Sequence, residues 1–467
     1  MRLIGVGLQG INNFCGLMDL GAGFNISTYY NCIDNIKVAV DAVFKVVLNK
    51  AAGEEKDKNK EAGNIENELC ISGDGSWSKR GFTSRLGIVS LIGKYSNKIL
   101  DVVVKSSFCK ACVMWKGNTN TVEYEAFYDA HNENCMANHE ESAGKMEVDG
   151  VLEMFLRSED LHNARYRYYI GDGDTKTFKA LLDKQPYGEE FIVKRKECVL
   201  HVKKRMYRRA KEAKKSLTQR KKEKQKDAQA STKTKSKIQP KSKKMQLTNK
   251  LMQDLSLYYG LAIRRHTDSV ENMKKEIWAT FFHKISTDEE PQHLHCPAGA
   301  ESWCKWRQHE AAGTLCDFTH PPPLDDDVQE VLRPIYEELT ADELLERCLG
   351  NNTQNNNESF NACVWHLVPK HIFTGRIILE IAAYTSACVF NEGFCTLLKI
   401  MEVMGVTIGS AVVQLAHKQD GQRIAQANRR STDASKESRM ARREERALEN
   451  ETYKESEGIL YSAGIAD

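Results

Sequence analysis

The sequence predicts an α/β protein in which a strand-rich core is joined to a largely helical remainder. Three observations carry this. β-rich runs at residues 69–72, 86–92, 99–104 and 166–170 each border turn residues. Apolar residues recur at helical spacing at Ile36, Val40, Val43, Phe44 and Val47, and again at Leu251, Leu255, Tyr258, Tyr259 and Ala262. The 467 residues are 41% hydrophobic and 28% charged, a composition that excludes collagen-like, fully disordered and polytopic membrane classes.

The elements follow in order. Residues 1–66 read as a helical extension whose last part, 51–66, is a Lys/Glu/Gly-rich surface connection. Nothing there has a zinc-finger or helix–turn–helix pattern. Residues 67–202 read as the first part of the core. In it, the turn Lys94-Tyr95-Ser96-Asn97-Lys98 joins two β-rich runs into a hairpin, and a Cys/His-bearing insert spans 109–139. The strand at 166–170 runs into Gly171-Asp172-Gly173-Asp174, and 175–182 reads as a helix.

Residues 203–250 hold 20 Lys+Arg against 3 Asp+Glu, so a chain of net charge +3 carries −14 outside this segment. Such a block points to a polyanionic partner or a solvated linker. Its Ser/Thr/Lys-rich middle, with Pro240, is expected to be disordered. Residues 251–350 read as an α-helical insertion, in which Thr340-Ala341-Asp342-Glu343 has the form of a capping box before Leu344, Leu345 and Cys348. Residues 351–414 close the core, with buried helix over 376–405. Residues 415–467 are a charged tail, expected as exposed helix or disorder.

The 14 cysteines follow no leader with an unbroken apolar stretch, so metal sites are expected in place of disulfides. The most apolar stretch, 377–390, contains Glu380 and is too short to span a bilayer. A soluble intracellular protein is therefore expected, with no membrane contact.

Two Cys/His groups have the spacing of tetrahedral zinc sites. One is Cys109, Cys112, His131 and Cys135, with His139 as a substitute for His131. The other is His283, His293, Cys296 and Cys304, with His295 as a spare. A third pair, Cys198 and His201, offers two ligands only. Trp303 and Trp306 read as core residues, with stacking on unpaired bases as the alternative.

Two apolar strands end in Gly-Asp-Gly, at Asp74 and at Asp172, and the polar run Thr353-Gln354-Asn355-Asn356-Asn357-Glu358-Ser359-Phe360-Asn361 opens a helix near Glu358. Each Asp-Gly element alone is a common turn. Together they resemble the Mutator-like transposases. The resemblance is carried by Ser72-Gly73-Asp74-Gly75-Ser76-Trp77, by Tyr169-Ile170-Gly171-Asp172-Gly173-Asp174, by Cys198 and His201 shortly after the second acid, and by Glu358-Ser359-x-Asn361. It runs from about residue 65 to residue 400.

That resemblance implies a ribonuclease-H-like mixed sheet interrupted by the helical insertion. It also implies a catalytic triad of Asp74, Asp172 and Glu358, with Asp174 as the alternative second carboxylate. Two Mg²⁺ (or Mn²⁺) ions on such a triad would serve DNA cleavage and strand transfer. Cys296-Pro297 and Ser302-Trp303-Cys304 also look like the family, which favours structural Zn²⁺ in the insertion. The expected partner is double-stranded DNA, both element ends and target, contacted by Lys203, Lys204, Arg205, Arg208 and Arg209. A homo-oligomer in the nucleus is expected. The alternatives are a domesticated nuclear DNA-binding or protein-interaction protein without catalysis, and a metal-dependent nuclease without strand transfer.

Overall fold

A computed structural model describes residues 7–21, 23–79, 84–115, 121–171, 175–230, 244–372 and 374–432. Helices α1 (Leu8–Leu17) and α2 (Ile26–Glu61) lead into strands β1 (Glu68–Trp77), β2 (Leu86–Gly93) and β3 (Ile99–Ser106). Next come α3 (Lys110–Met114), α4 (Val122–His131), α5 (Ala143–Leu156), α6 (Ser158–His162), β4 (Arg165–Gly171), α7 (Thr175–Lys184) and β5 (Lys194–Glu197). A helical stretch follows, of α8 (Val199–Ala230), α9 (Asn249–Arg265), α10 (Val270–Ile285), α11 (Lys305–Ala312), α12 (Asp326–Leu339) and α13 (Asp342–Cys348). The chain continues through α14 (Asn355–Leu367), α15 (Arg376–Glu392), α16 (Cys395–Val403) and α17 (Ser410–Ser431).

The predicted α/β class holds. The strands form one mixed sheet in the order β3-β2-β1-β4-β5, with β1–β2 and β2–β3 antiparallel and β4–β5 parallel. The expected hairpin is β2–β3, and its turn places Asn97 at φ 58°, where asparagine is among the better-tolerated residues. No described helix is long and apolar enough to cross a membrane.

The chain divides into two units, 1–167 with 179–192 and 355–467, and 168–178 with 193–354. In the first, β2 and β3 are buried along their whole length. One face of β2 offers Leu86, Ile88 and Ile92 to a core shared with α2, α14 and α15. The other face meets α5, where Gly150 comes so close that an added Cβ would lie 2.7 Å from Val89.

The stretch expected as a surface connection from residue 51 is instead the second half of α2, with Ala51, Ala52, Glu55 and Asn59 buried. The physical reason is that Glu55 accepts the backbone N–H groups of Tyr95 (3.1 Å) and Ser96 (2.6 Å), clamping the hairpin turn. The helical run expected over 376–405 breaks after Glu392, where Gly393 takes φ 92°.

In the second unit, α8, α9, α10, α12 and α13 enclose a core that includes Met206, Tyr259, Phe281 and Tyr336. Its buried hydroxyls are partnered: Tyr259 donates to Leu339 O at 2.9 Å and Tyr336 pairs with Thr280 at 3.0 Å. The capping box expected at Thr340 does not form. Thr340 closes the preceding helix, donating to Tyr336 O at 2.7 Å, and α13 starts from Ala341 without a side-chain cap. Of the basic segment, residues 203–230 belong to α8 and 244–250 lead into α9; residues 231–243 lie outside the described residues, as does the tail beyond 432.

Candidate active site and metal centres

Strand β1 and helix α14 form the platform for the first and last predicted carboxylates. Ser72, Asp74 and Ser76 alternate along β1 and so share one face. Asn357, Asn361 and Trp365 are each four apart on α14 and so share another. The two rows meet rung by rung. Ser72 Oγ donates to Asn357 Oδ1 at 2.8 Å, Asn361 Nδ2 donates to Asp74 Oδ2 at 2.7 Å, and Trp365 Nε1 donates to Ser76 Oγ at 2.8 Å. Two strand residues advance about 6.8 Å and four helical residues about 6.0 Å, so three rungs stay within reach.

Asn357 is fully buried, and its amide also reaches Ser72 O at 3.2 Å and the Ser90 carbonyl and hydroxyl at 3.3 Å. Ser90 is the register partner of Asp74 on β2. The exposed Glu358 therefore sits on a helical turn pinned to the sheet on both sides, by Asn357 and by Asn361. Asn361 Oδ1 is buried with no hydrogen-bond partner. The Asp74 carboxylate and the Asn361 amide carbonyl are oxygen donors of the kind a hard cation such as Mg²⁺ takes. Asp172 and its alternative Asp174 lie outside the described residues.

The glycine after Asp74 has a packing role. A Cβ on Gly75 would lie 3.0 Å from Glu147 Oε2, so glycine lets α5 close on that side of β1.

Both predicted Cys/His groups assemble with the predicted ligands, the donor atoms of each lying within 4.8 Å of one another. Zn–N bonds near 2.0–2.1 Å and Zn–S bonds near 2.3 Å give a tetrahedron with edges of roughly 3.3 Å (N–N), 3.6 Å (N–S) and 3.8 Å (S–S). In the second group the two histidine Nδ1 atoms are 3.3 Å apart, and the four N–S edges are 3.4, 3.5, 3.7 and 3.9 Å. In the first, Cys109 Sγ lies 3.2 Å from His131 Nε2 and Cys112 Sγ lies 3.5 Å from Cys135 Sγ. Both donor sets can bind zinc.

Local structure presents these ligands. Cys109 and Cys112 bracket the start of α3, His131 ends α4, and a single 3₁₀ turn brings Cys135 back. Burial pushes the Cys109 thiol up, but the backbone N–H groups of Cys112 and Met136, with the His131 ring, outweigh it and hold it at about 6. Hydrogen bonding from Cys296 lowers the Cys304 thiol, against the opposing effect of burial, and Cys296 is raised in turn. Each cluster therefore favours one thiolate, the ligating form. The proposed substitutes are placed elsewhere. His139 binds Ser142 O at 3.1 Å, and His295 packs on Phe282 at 5.7 Å.

The second cluster has outer partners that the sequence does not reveal. His293 Nε2 lies 2.9 Å from His320 Nε2, and His320 Nδ1 lies 2.7 Å from Asp288 Oδ1. This chain fixes the His293 tautomer and leaves Nδ1 to face the other ligands.

The family model for Mutator-like transposases matches residues 1–304. The chain belongs to this family. No curated protein and no solved structure matches it.

In this Mutator-like transposase the matched residues include Asp74, Asp172 and both Cys/His clusters, and end before Glu358. Cys198 is buried, and His201 N donates to Cys198 O at 2.9 Å. Among the described residues this pair belongs to no group of three or more metal-ligating side chains.

The five basic residues expected at DNA have unlike surroundings. Arg205 pairs at 2.7 Å with Glu197, which is 1% exposed and also meets Arg195, and Arg209 pairs at 2.5 Å with Glu338. A Cβ on Gly260 would lie 3.0 Å from the Lys203 stem, whereas Lys204 and Arg208 are exposed. The tryptophans pack on the zinc-type ligands. Trp306 stacks on His293 at 4.9 Å, and Trp303 meets His283 edge-on at 5.1 Å.

Proposed function

We propose that this member of the family is a DDE-type DNA transposase core that cuts DNA at its element's ends and joins the freed 3′-hydroxyl to target DNA. The β1–α14 ladder is the observation that carries the reading. It brings the helix of Glu358 onto the strand of Asp74, two acids that the sequence separates by 284 positions. The mixed sheet supports it further, because β4 ends at Gly171, immediately before Asp172.

In this reading Asp74, Asp172 and Glu358 hold Mg²⁺ or Mn²⁺, with Asp174 as the alternative to Asp172. The bound ions supply activation of the attacking oxygen and charge stabilisation at the departing one. Asn361 orients the Asp74 carboxylate through its amide N–H and offers its buried carbonyl oxygen beside it. Exposed Glu358 keeps the site open to a DNA backbone. Zn²⁺ at the two Cys/His clusters has a structural role, since each has four protein donors and no position left for substrate. The chain acts on double-stranded DNA in the nucleus, as a homo-oligomer that holds two ends together.

The test uses a plasmid carrying the DNA that flanks the protein's own reading frame, incubated with the full chain and Mg²⁺. Cleaved ends and joined products are expected, and Asp74→Asn and Glu358→Gln should abolish both while the zinc content stays unchanged. Cleavage without joining would favour a nuclease. Full activity in both variants would place the chemistry elsewhere.

A further inference from the structure

The basic residues of α8 sort into two populations. Those on its flanks are committed to neighbours. Arg205 pairs with Glu197, Arg209 with Glu338 and Arg220 with Glu330, while Lys214 donates to Asn249 and Lys221 to Gln246. Beside the half-buried Lys203, the other basic side chains described on α8 are Lys204, Arg208, Lys211, Lys215 and Lys222. All five are exposed, and none has an ion pair or hydrogen bond among the described residues.

Their spacing is 4, 3, 4 and 7 residues, which at about 100° per residue keeps all five on one narrow stripe. That stripe lies opposite the face where Val202, Met206, Ala210 and Leu217 are buried. Glu212 and Glu223 fall to one side of it, and Glu223 accepts a hydrogen bond from Gln219 at 3.2 Å. Like charges at these spacings repel and disfavour the helix. The apolar face is already used in the core, so the stripe is not the polar side of a membrane-inserting helix.

We propose that this stripe is a rail for the phosphate backbone of duplex DNA. From Lys204 to Lys222 it extends about 27 Å at roughly 1.5 Å per residue, the length of about eight base pairs. It carries cations alone, with no aromatic side chain for base stacking, so it meets phosphates without sequence readout. The rail rests on the reading of the chain as a DNA-acting enzyme, but not on its metal chemistry.

The experiment is fluorescence anisotropy of a random-sequence 30-base-pair duplex titrated with the full chain, without divalent metal, from about 50 to 200 mM salt. The variant K204Q/R208Q/K211Q/K215Q is expected to lower the slope of log affinity against log salt by about 3–4, near 0.9 for each phosphate that is no longer neutralised. Lys221→Gln, off the stripe, should leave the slope unchanged, and circular dichroism checks that all variants fold. An unchanged slope in the fourfold variant overturns the rail, as would an equal drop in Lys221→Gln or tighter binding to single-stranded RNA or phosphatidylserine vesicles. If the rail fails while the plasmid is still cut and joined, the transposase reading stands alone. If the wild type neither binds nor processes DNA, both fall.

Discussion

Asn361 Nδ2 donates a 2.7 Å hydrogen bond to Asp74 Oδ2, joining two residues 287 positions apart. That bond sets the rotamer of the carboxylate on β1 and the rotation of the helix that carries Glu358. Asn361→Leu keeps the volume and removes the donor. It is expected to cut DNA cleavage by about 10–100-fold, the effect typical of removing a partner from a metal ligand. Leaving Asp74 short of a partner should also lower stability by about 1–3 kcal/mol, measurable by urea denaturation.

Two zinc ions per chain are expected by elemental analysis of the purified protein, one at each cluster. Cys109→Ser and Cys304→Ser should each lower the count by one. Because α11 and the chain around it pack about Cys296 and Cys304 with little other core, Cys304→Ser should make that segment the faster to be cut by protease. A wild-type count below one would remove the structural-zinc assignment.

His320 acts through His293. His320→Ala should weaken zinc binding at the second cluster by about 10–100-fold in a chelator competition. His295→Ala is expected to leave that affinity unchanged, since its ring packs on Phe282. Equal effects from both would show that ordinary packing explains the result.

Glu392 closes the end of α15 against Lys50 (2.6 Å) and Lys98 (2.7 Å). Burial pushes its carboxyl up, but hydrogen bonds and charge from both lysines outweigh this and hold it below the usual value of 4.5. A carboxylate depressed in the folded state adds stability above its unfolded pKa, and loses it as pH falls through the folded value. Glu392→Gln should therefore lower stability at pH 7 by about 1 kcal/mol or less, given partial solvent screening. The difference from wild type should fade below pH 4.5, read from denaturation midpoints across pH.

Four of the five strands and the two metal clusters are legible because their signals are local: alternation and turns for β1–β4, ligand spacing for Cys109–Cys112 and His293–Cys296. The expected strand end at Gly73-Asp74-Gly75 is not there, because β1 stays paired with β2 through Trp77, and β5 (Lys194–Glu197) has no apolar run to mark it. The outer histidine was not, since His320 lies 27 residues from His293 and joins it only through folding. Asn357 and Asn361 stood out only as part of the polar run that opens a helix near Glu358. Their meaning depends on the Ser-x-Asp-x-Ser row of β1, a pairing of a two-residue period with a four-residue one across the fold. The long helix α8 was hidden in the basic segment that starts at residue 203, because the buried positions Val202, Met206, Ala210 and Leu217 are sparse among lysines and arginines. The second half of α2 was hidden likewise, because Glu55 is buried by its bonds to a turn and not by being apolar.

The most direct measurement of the central claim is an anomalous difference map from crystals of the full chain soaked in Mn²⁺. The account predicts two peaks about 4 Å apart, bounded by the carboxylates of Asp74, Asp172 and Glu358. Manganese bound elsewhere on the protein, with none at Asp74, would contradict it.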